Sequence, residues 1–90
     1  MTNHEVFNIV QVLVAEQHDE PVYSITVDTN FFLDLTDSLD FQEIVMACEE
    51  RFGLSIPDED AAKLETVGAL VDYISSALGP GESVWPPPPL

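Results

Sequence analysis

Basic residues are almost missing from this chain: Arg51 and Lys63 stand alone against 17 acids, and the formal net charge is −15. Nucleic-acid binding is excluded on that count, because affinity for a phosphate backbone comes mainly from lysine and arginine. Attachment to anionic lipid is disfavoured for the same reason. There is a single cysteine, Cys48, which excludes an intrachain disulfide and fits a reducing compartment such as the cytoplasm. No apolar run approaches the roughly 18 residues needed to span a bilayer, so membrane insertion is not expected. The opening stretch has no basic segment followed by an apolar one, so no signal peptide is predicted.

What is present describes one small globular domain. The 90 residues lie near the lower end of the size at which one core stabilises a fold unaided, and 46% of them are apolar, so the acidity does not imply general disorder. Such a surface suits basic proteins or cations, or serves only to maintain solubility.

Periodicity predicts an all-α four-helix bundle, three longer helices plus one short one, with a long loop between helices 1 and 2. TNHEVFNIVQVLVAEQ opens with Thr2 and Glu5 at capping-box spacing, and Val6, Ile9, Val10, Leu13 and Val14 form one apolar face. The pattern fails from His18 to Thr36, where Pro21, Asp28 and Asn30 carry loop chemistry. YSITV there could form a strand but has no evident partner. Val22, Ile25, Phe31, Phe32 and Leu33 predict a loop packed onto the core, and a loop this long usually serves a function.

SLDFQEIVMACEERFG reads as the second helix, with Asp37 or Ser38 as cap, and Asp40 and Glu43 in the early turns where negative charge suits the dipole. Ile44, Cys48 and Phe52 form its buried stripe, flanked by Phe41 and Val45, and Gly53 caps its end. Leu39 and Met46 fall off the stripe and are candidates for an exposed apolar contact. IPDEDAAKL predicts a short helix after Pro57, and Thr66 caps a final one with Val67, Leu70, Val71, Ile74 and Leu78 inward. Residues 80–90 form a proline-rich tail that cannot join a helical core and is expected to be disordered, Trp85 included, which leaves 1–79 as the folded domain.

Catalytic constellations are poor. Asp34, Asp37, Asp40 and Glu43 recur every third residue, but an EF-hand needs alternate oxygen ligands and a glycine where Leu39 stands. No specific metal site is predicted. His4 and His18 read as surface residues, Cys48 as a small buried hydrophobe, and no apolar pocket is evident to separate the pKa values of paired carboxylates. Ser38, between two aspartates, has no base to activate it. A helix cap is one common duty for such a serine. The other is chemical: a helix start tolerates a phosphate ester, and acids along that helix can draw in a basic partner that performs the reaction. On that reading the serine is a substrate and the protein is not an enzyme.

DSLDFQEIVMACEERFGLSIPDEDAAKLETVGALVDYI resembles the central signature of the acyl carrier proteins: Asp-Ser-Leu opening the second helix, an acidic stretch ending in Phe-Gly, then Ile-Pro-Asp-Glu and Thr-Val before the last helix. The resemblance runs from about Phe31 to Ile74, and more loosely back through the first helix. It implies that Ser38 carries 4′-phosphopantetheine, attached from coenzyme A by a phosphopantetheinyl transferase. It implies docking by Asp37, Leu39, Asp40, Glu43, Met46, Glu49 and Glu50 onto basic patches of acyl-transferring, acyl-activating or condensing enzymes of fatty-acid, lipid or related biosynthesis. It implies a core around Ile44, Cys48, Phe52 and Ile74 that shelters an acyl chain, in a monomer. Three departures stand out. DLTDSL is one residue shorter than the family's approach to the serine, Cys48 replaces a customary leucine, and the proline tail is atypical; together they suggest a specialised carrier. Two alternatives remain: a carrier of aminoacyl or peptidyl groups, and an unmodified acidic helical module that binds basic proteins.

Overall fold

The computed structural model describes residues 2–33 and 38–78, with Ser38 by its backbone alone. Four helices follow in order: α1 (Asn3–His18), α2 (Ser38–Phe52), α3 (Asp58–Ala61) and α4 (Val67–Leu78). Among the described residues the only strand-like pairing is one isolated bridge, Asn30 to Thr66. The predicted all-α bundle is the observed fold.

Local contacts set the start and end of α1, the end of α2 and the cap of α4. The Thr2 backbone N–H donates to Glu5 Oε1 at 2.8 Å while Glu5 N–H donates to Thr2 Oγ1 at 3.1 Å, so the capping box satisfies two donors that the helix leaves unpaired. α1 stops at Asp19, which takes the left-handed conformation (φ 53°) and returns its N–H to the Ala15 carbonyl; aspartate is among the few residues that tolerate this region. α2 ends at Gly53, whose φ of 66° is costly for any side chain, and the Gly53 and Leu54 amides both close on the Glu49 carbonyl. Thr66 Oγ1 accepts from Ala69 N–H at 3.1 Å and caps α4. The predicted caps of α2 fall on Asp37 and the Ser38 hydroxyl, outside what is described.

α1 packs on both α4 and α2. Its Val6, Val10 and Val14 are fully buried against Val67, Leu70, Val71 and Ile74 of α4 and Ile44 and Cys48 of α2 in a single cluster. The outer members of the predicted stripes are less buried. Leu13 and Phe52 only flank the core, and Leu78 is 41% exposed at the end of α4.

The loop after α1 departs most from expectation. YSITV forms no strand; Val22–Ser24 make one turn of 3₁₀ helix after Pro21. Of the five apolar residues predicted to pack, Ile25 and Phe31 are buried, while Val22, Phe32 and Leu33 are 42%, 43% and 77% exposed. The loop is held mainly by its backbone. Gln11 Nε2 donates to the Ile25 carbonyl at 2.7 Å. Further on, Val67 and Gly68 donate their N–H groups to Thr29 and Val27, and Phe31 donates to Glu65. Loop carbonyls thus satisfy the first amides of α4, groups that a helix start leaves without intrahelical acceptors. Gly68 permits this approach: a Cβ there would lie 3.1 Å from the Val27 carbonyl oxygen.

Candidate functional site

Ser38 is the first residue of α2. Two aromatic residues of the incoming loop fix where that helix starts. Phe31 and Phe32 pack their rings on Phe41, one turn into α2, with centroids 5.0 and 5.4 Å away, an arrangement that adds to burial through the ring quadrupoles. Asn30 Oδ1 accepts the Phe32 and Leu33 amides and sets the direction of the chain at that point. The shortened approach, Asp34 to Asp37, lies outside the described residues, and with it the predicted docking residue Asp37.

Beyond Ser38, helical geometry puts Leu39, Glu43, Met46 and Glu50 on one stripe. Leu39 and Met46 are 61% and 58% exposed, so two apolar side chains stand among acids on the outward face of α2. Glu50 is exposed as well. The other acids are engaged internally. Gln17 Nε2 of α1 donates to Asp40 Oδ1 at 3.4 Å and more closely to Glu43 Oε2. His18 Nδ1 lies 3.9 Å from Asp40 Oδ2. Glu49 Oε2 accepts the Ile56 N–H at 2.8 Å and so organises the turn from α2 to α3.

His18 corrects its sequence reading. It is no ordinary surface residue: its side chain is 12% exposed, and Nε2 is buried with no hydrogen-bond partner among the described residues. Gln17 was missed altogether. Its partners are 23 and 26 residues away, a separation that no local pattern signals. Glu49 to Ile56 spans seven residues across a helix end, and the glutamate's place in an acidic run concealed that second duty.

Ile44, Cys48 and Ile74 are fully buried, and Phe52 is half-buried. Burial first, and the Glu49 charge second, push the Cys48 thiol up to about 12, which leaves it protonated and unreactive at neutral pH. Two solvent-open recesses lie between α2 and α3. One, of about 200 Å³, is lined by Phe41, Val45, Met46, Glu49, Ile56 and Ala61, together with Gln42 and Asp58. The other, of about 300 Å³, continues past Phe32 and Ala62. None of the four expected core residues lines either recess. Phe41, Val45, Ile56 and Ala61 nevertheless belong to the core, so the floor of the first recess is the core itself.

The arrangement is a helix start reached by a well-anchored loop, an acidic face with two exposed apolar residues, and a recess alongside. A phosphate ester fits such a start, because the backbone N–H groups and dipole of a helix N-terminus favour an anion.

Comparison with known proteins agrees. The family pattern described as the phosphopantetheine attachment site matches residues 8–74. An acyl carrier protein of Lactobacillus johnsonii is 48% identical over 77 residues, covering 84% of this chain and 96% of that protein. One of Lactobacillus acidophilus is 42% identical, covering 88% of this chain and all of the relative. A solved structure of the acyl carrier protein from Enterococcus faecalis superposes with a TM-score of 0.71 at 43% identity, covering 84% of this chain and 98% of that one.

Proposed function

The chain belongs to the acyl carrier protein family, and from that premise we propose that Ser38 is its point of attachment for 4′-phosphopantetheine. Members are carriers, not enzymes, and work with biosynthetic enzymes, typically of fatty-acid assembly. When bound, the group supplies a thiol that holds acyl groups as thioesters. The observation that carries the Ser38 assignment is its position as first residue of α2 within Asp-Ser-Leu. There the helix N-terminus favours the incoming phosphate, and the transferase provides the base for the reaction.

In this reading α2 is also the docking helix. Glu43 and Glu50 offer charge to a basic partner on the same stripe where Leu39 and Met46 offer apolar surface, with Asp40 at the end near the attachment point and Asp37 its neighbour in the sequence. Glu49 contributes charge while remaining tied to Ile56. An acyl chain is sheltered by the interior that contains Ile44, Cys48, Phe52 and Ile74, reached from the recess between α2 and α3. The carrier unit spans residues 1–79, with the proline-rich 80–90 appended. Among the described residues no helix is long and apolar enough to cross a membrane.

The test is an intact mass after incubation with coenzyme A and a broad-specificity phosphopantetheinyl transferase, beside Ser38→Ala. One phosphopantetheinyl increment in the parent, absent in a folded alanine variant, is expected. Loading of the variant would show that another residue is the site.

A further inference from the structure

We propose that the hydrogen bond from Tyr73 to Asp60 is a latch on α3 that limits the length of acyl chain this carrier shelters, which makes Tyr73 a positioning residue for cargo size. The inference rests on the reading that the acyl chain enters from the recess between α2 and α3.

α2 and α4 both pack on α1 and form a frame. α3 is built differently. It is one turn of four residues, and its N-cap, Pro57, supplies no side-chain hydrogen bond. A helix that short has little stability of its own and depends on what it is fastened to. Two polar ties fasten this one. At its entry the Ile56 N–H donates to Glu49 Oε2 of α2 at 2.8 Å. On its body Asp60 Oδ2 accepts the Tyr73 hydroxyl of α4, also at 2.8 Å. Asp58 and Ala61, three residues apart and so on one face, line the recess toward α2, while Asp60 meets α4.

The recess ends on packed side chains. Phe41, Val45, Ile56 and Ala61 at its floor are all buried, and a close-packed interior has no ready space for more carbon. A short acyl group fits the open volume of about 200 Å³. A longer one has to part α3 from α2 to go deeper. Because α2 and α4 are both seated on α1, that displacement also carries α3 away from its place on α4 and breaks the Tyr73–Asp60 bond. The Tyr73 ring packs against the core, a duty that phenylalanine would perform equally. What the hydroxyl adds is a directed tie between two helices. Such a tie opposes long cargo and leaves short cargo untouched.

The test loads the parent and Tyr73→Phe with acetyl-, octanoyl- or dodecanoyl-phosphopantetheine from the matching coenzyme A thioesters and reads Tm by far-ultraviolet circular dichroism. In the acetyl form the variant is expected to melt about 4–8 °C below the parent, the shift for one lost hydrogen bond in a domain of this size. In the dodecanoyl form, where the cargo has already broken the bond, that gap is expected to shrink to less than half. Asp60→Asn keeps an acceptor for the hydroxyl and is expected to follow the parent; Asp60→Ala removes the bond from the other partner should phenylalanine impair folding. A merely structural bond would lower Tm equally with every cargo. One constant gap across the three cargoes, or none in the acetyl form, overturns the latch alone, provided that the longer chains raise the Tm of the parent above its acetyl form. If they do not raise it, the sheltering of the chain is overturned and the latch with it.

Discussion

In Glu49→Ala the Ile56 backbone N–H loses the carboxylate that accepts it at 2.8 Å in a partly buried turn. A hydrogen bond to a charged group contributes about 1.5–3 kcal/mol, and partial solvent access puts this one near the low end, about 1.5 kcal/mol. In a domain of this size 1 kcal/mol moves Tm by about 4–8 °C, so a loss of about 6–12 °C is expected. The control is Glu50→Ala. It removes the same charge from a chain that starts at −15, but from an exposed residue with no internal partner among the described residues. Its effect should stay within about 0.5 kcal/mol. Removing any acid also relieves self-repulsion, and the pair of variants cancels that contribution. Glu49→Gln, which retains an acceptor without the charge, should fall between them. The assay is thermal unfolding followed by far-ultraviolet circular dichroism at one ionic strength. Tm values for Glu49→Ala and Glu50→Ala within about 2 °C of each other would refute the argument and leave Glu49 as a docking residue only.

The Cys48 thiol, buried and raised to about 12, should resist alkylation in the native apo protein near neutral pH and react once the chain is unfolded; equal rates in both states would show that the core opens easily. The Tyr73 hydroxyl donates to Asp60 Oδ2 at 2.8 Å, and that bond raises its pKa. Its contribution is therefore present below the unfolded phenol value of about 10 and lost as pH rises through the higher folded value. The Tm difference between the parent and Tyr73→Phe should then narrow in strong alkali, and a difference constant with pH would contradict the bond. With a net charge of −15 on a small body, moderate salt should raise Tm by screening self-repulsion; a Tm flat from low to moderate ionic strength would refute it.

Much of the architecture was legible because it is written in short spacings. Thr2 and Glu5, Gly53, and Thr66 mark helix ends through contacts no more than four residues away, and all three behave as read. The inward stripe of α4 and the outward Leu39 and Met46 follow from a 3.6-residue period. Apolar content was a weaker guide in the loop. Val22, Phe32 and Leu33 looked like core, but irregular backbone has no fixed period to say which side chains point inward, and only Ile25 and Phe31 are buried.

The candidate site divides in the same way. Ser38 at a helix start, the acidic face and the exposed apolar pair are consequences of one segment forming one helix, and the sequence by itself determined them. Which acids are free was decided by tertiary structure. Asp40 and Glu43 meet Gln17 and His18 only because α1 packs along α2, and Glu49 turns inward only because Ile56 folds back beneath it. The loop that leads to Ser38 is likewise held by carbonyls that satisfy the first amides of α4, more than thirty residues away. A helix period specifies which face a side chain occupies; only the packing of one helix on another specifies what that side chain meets.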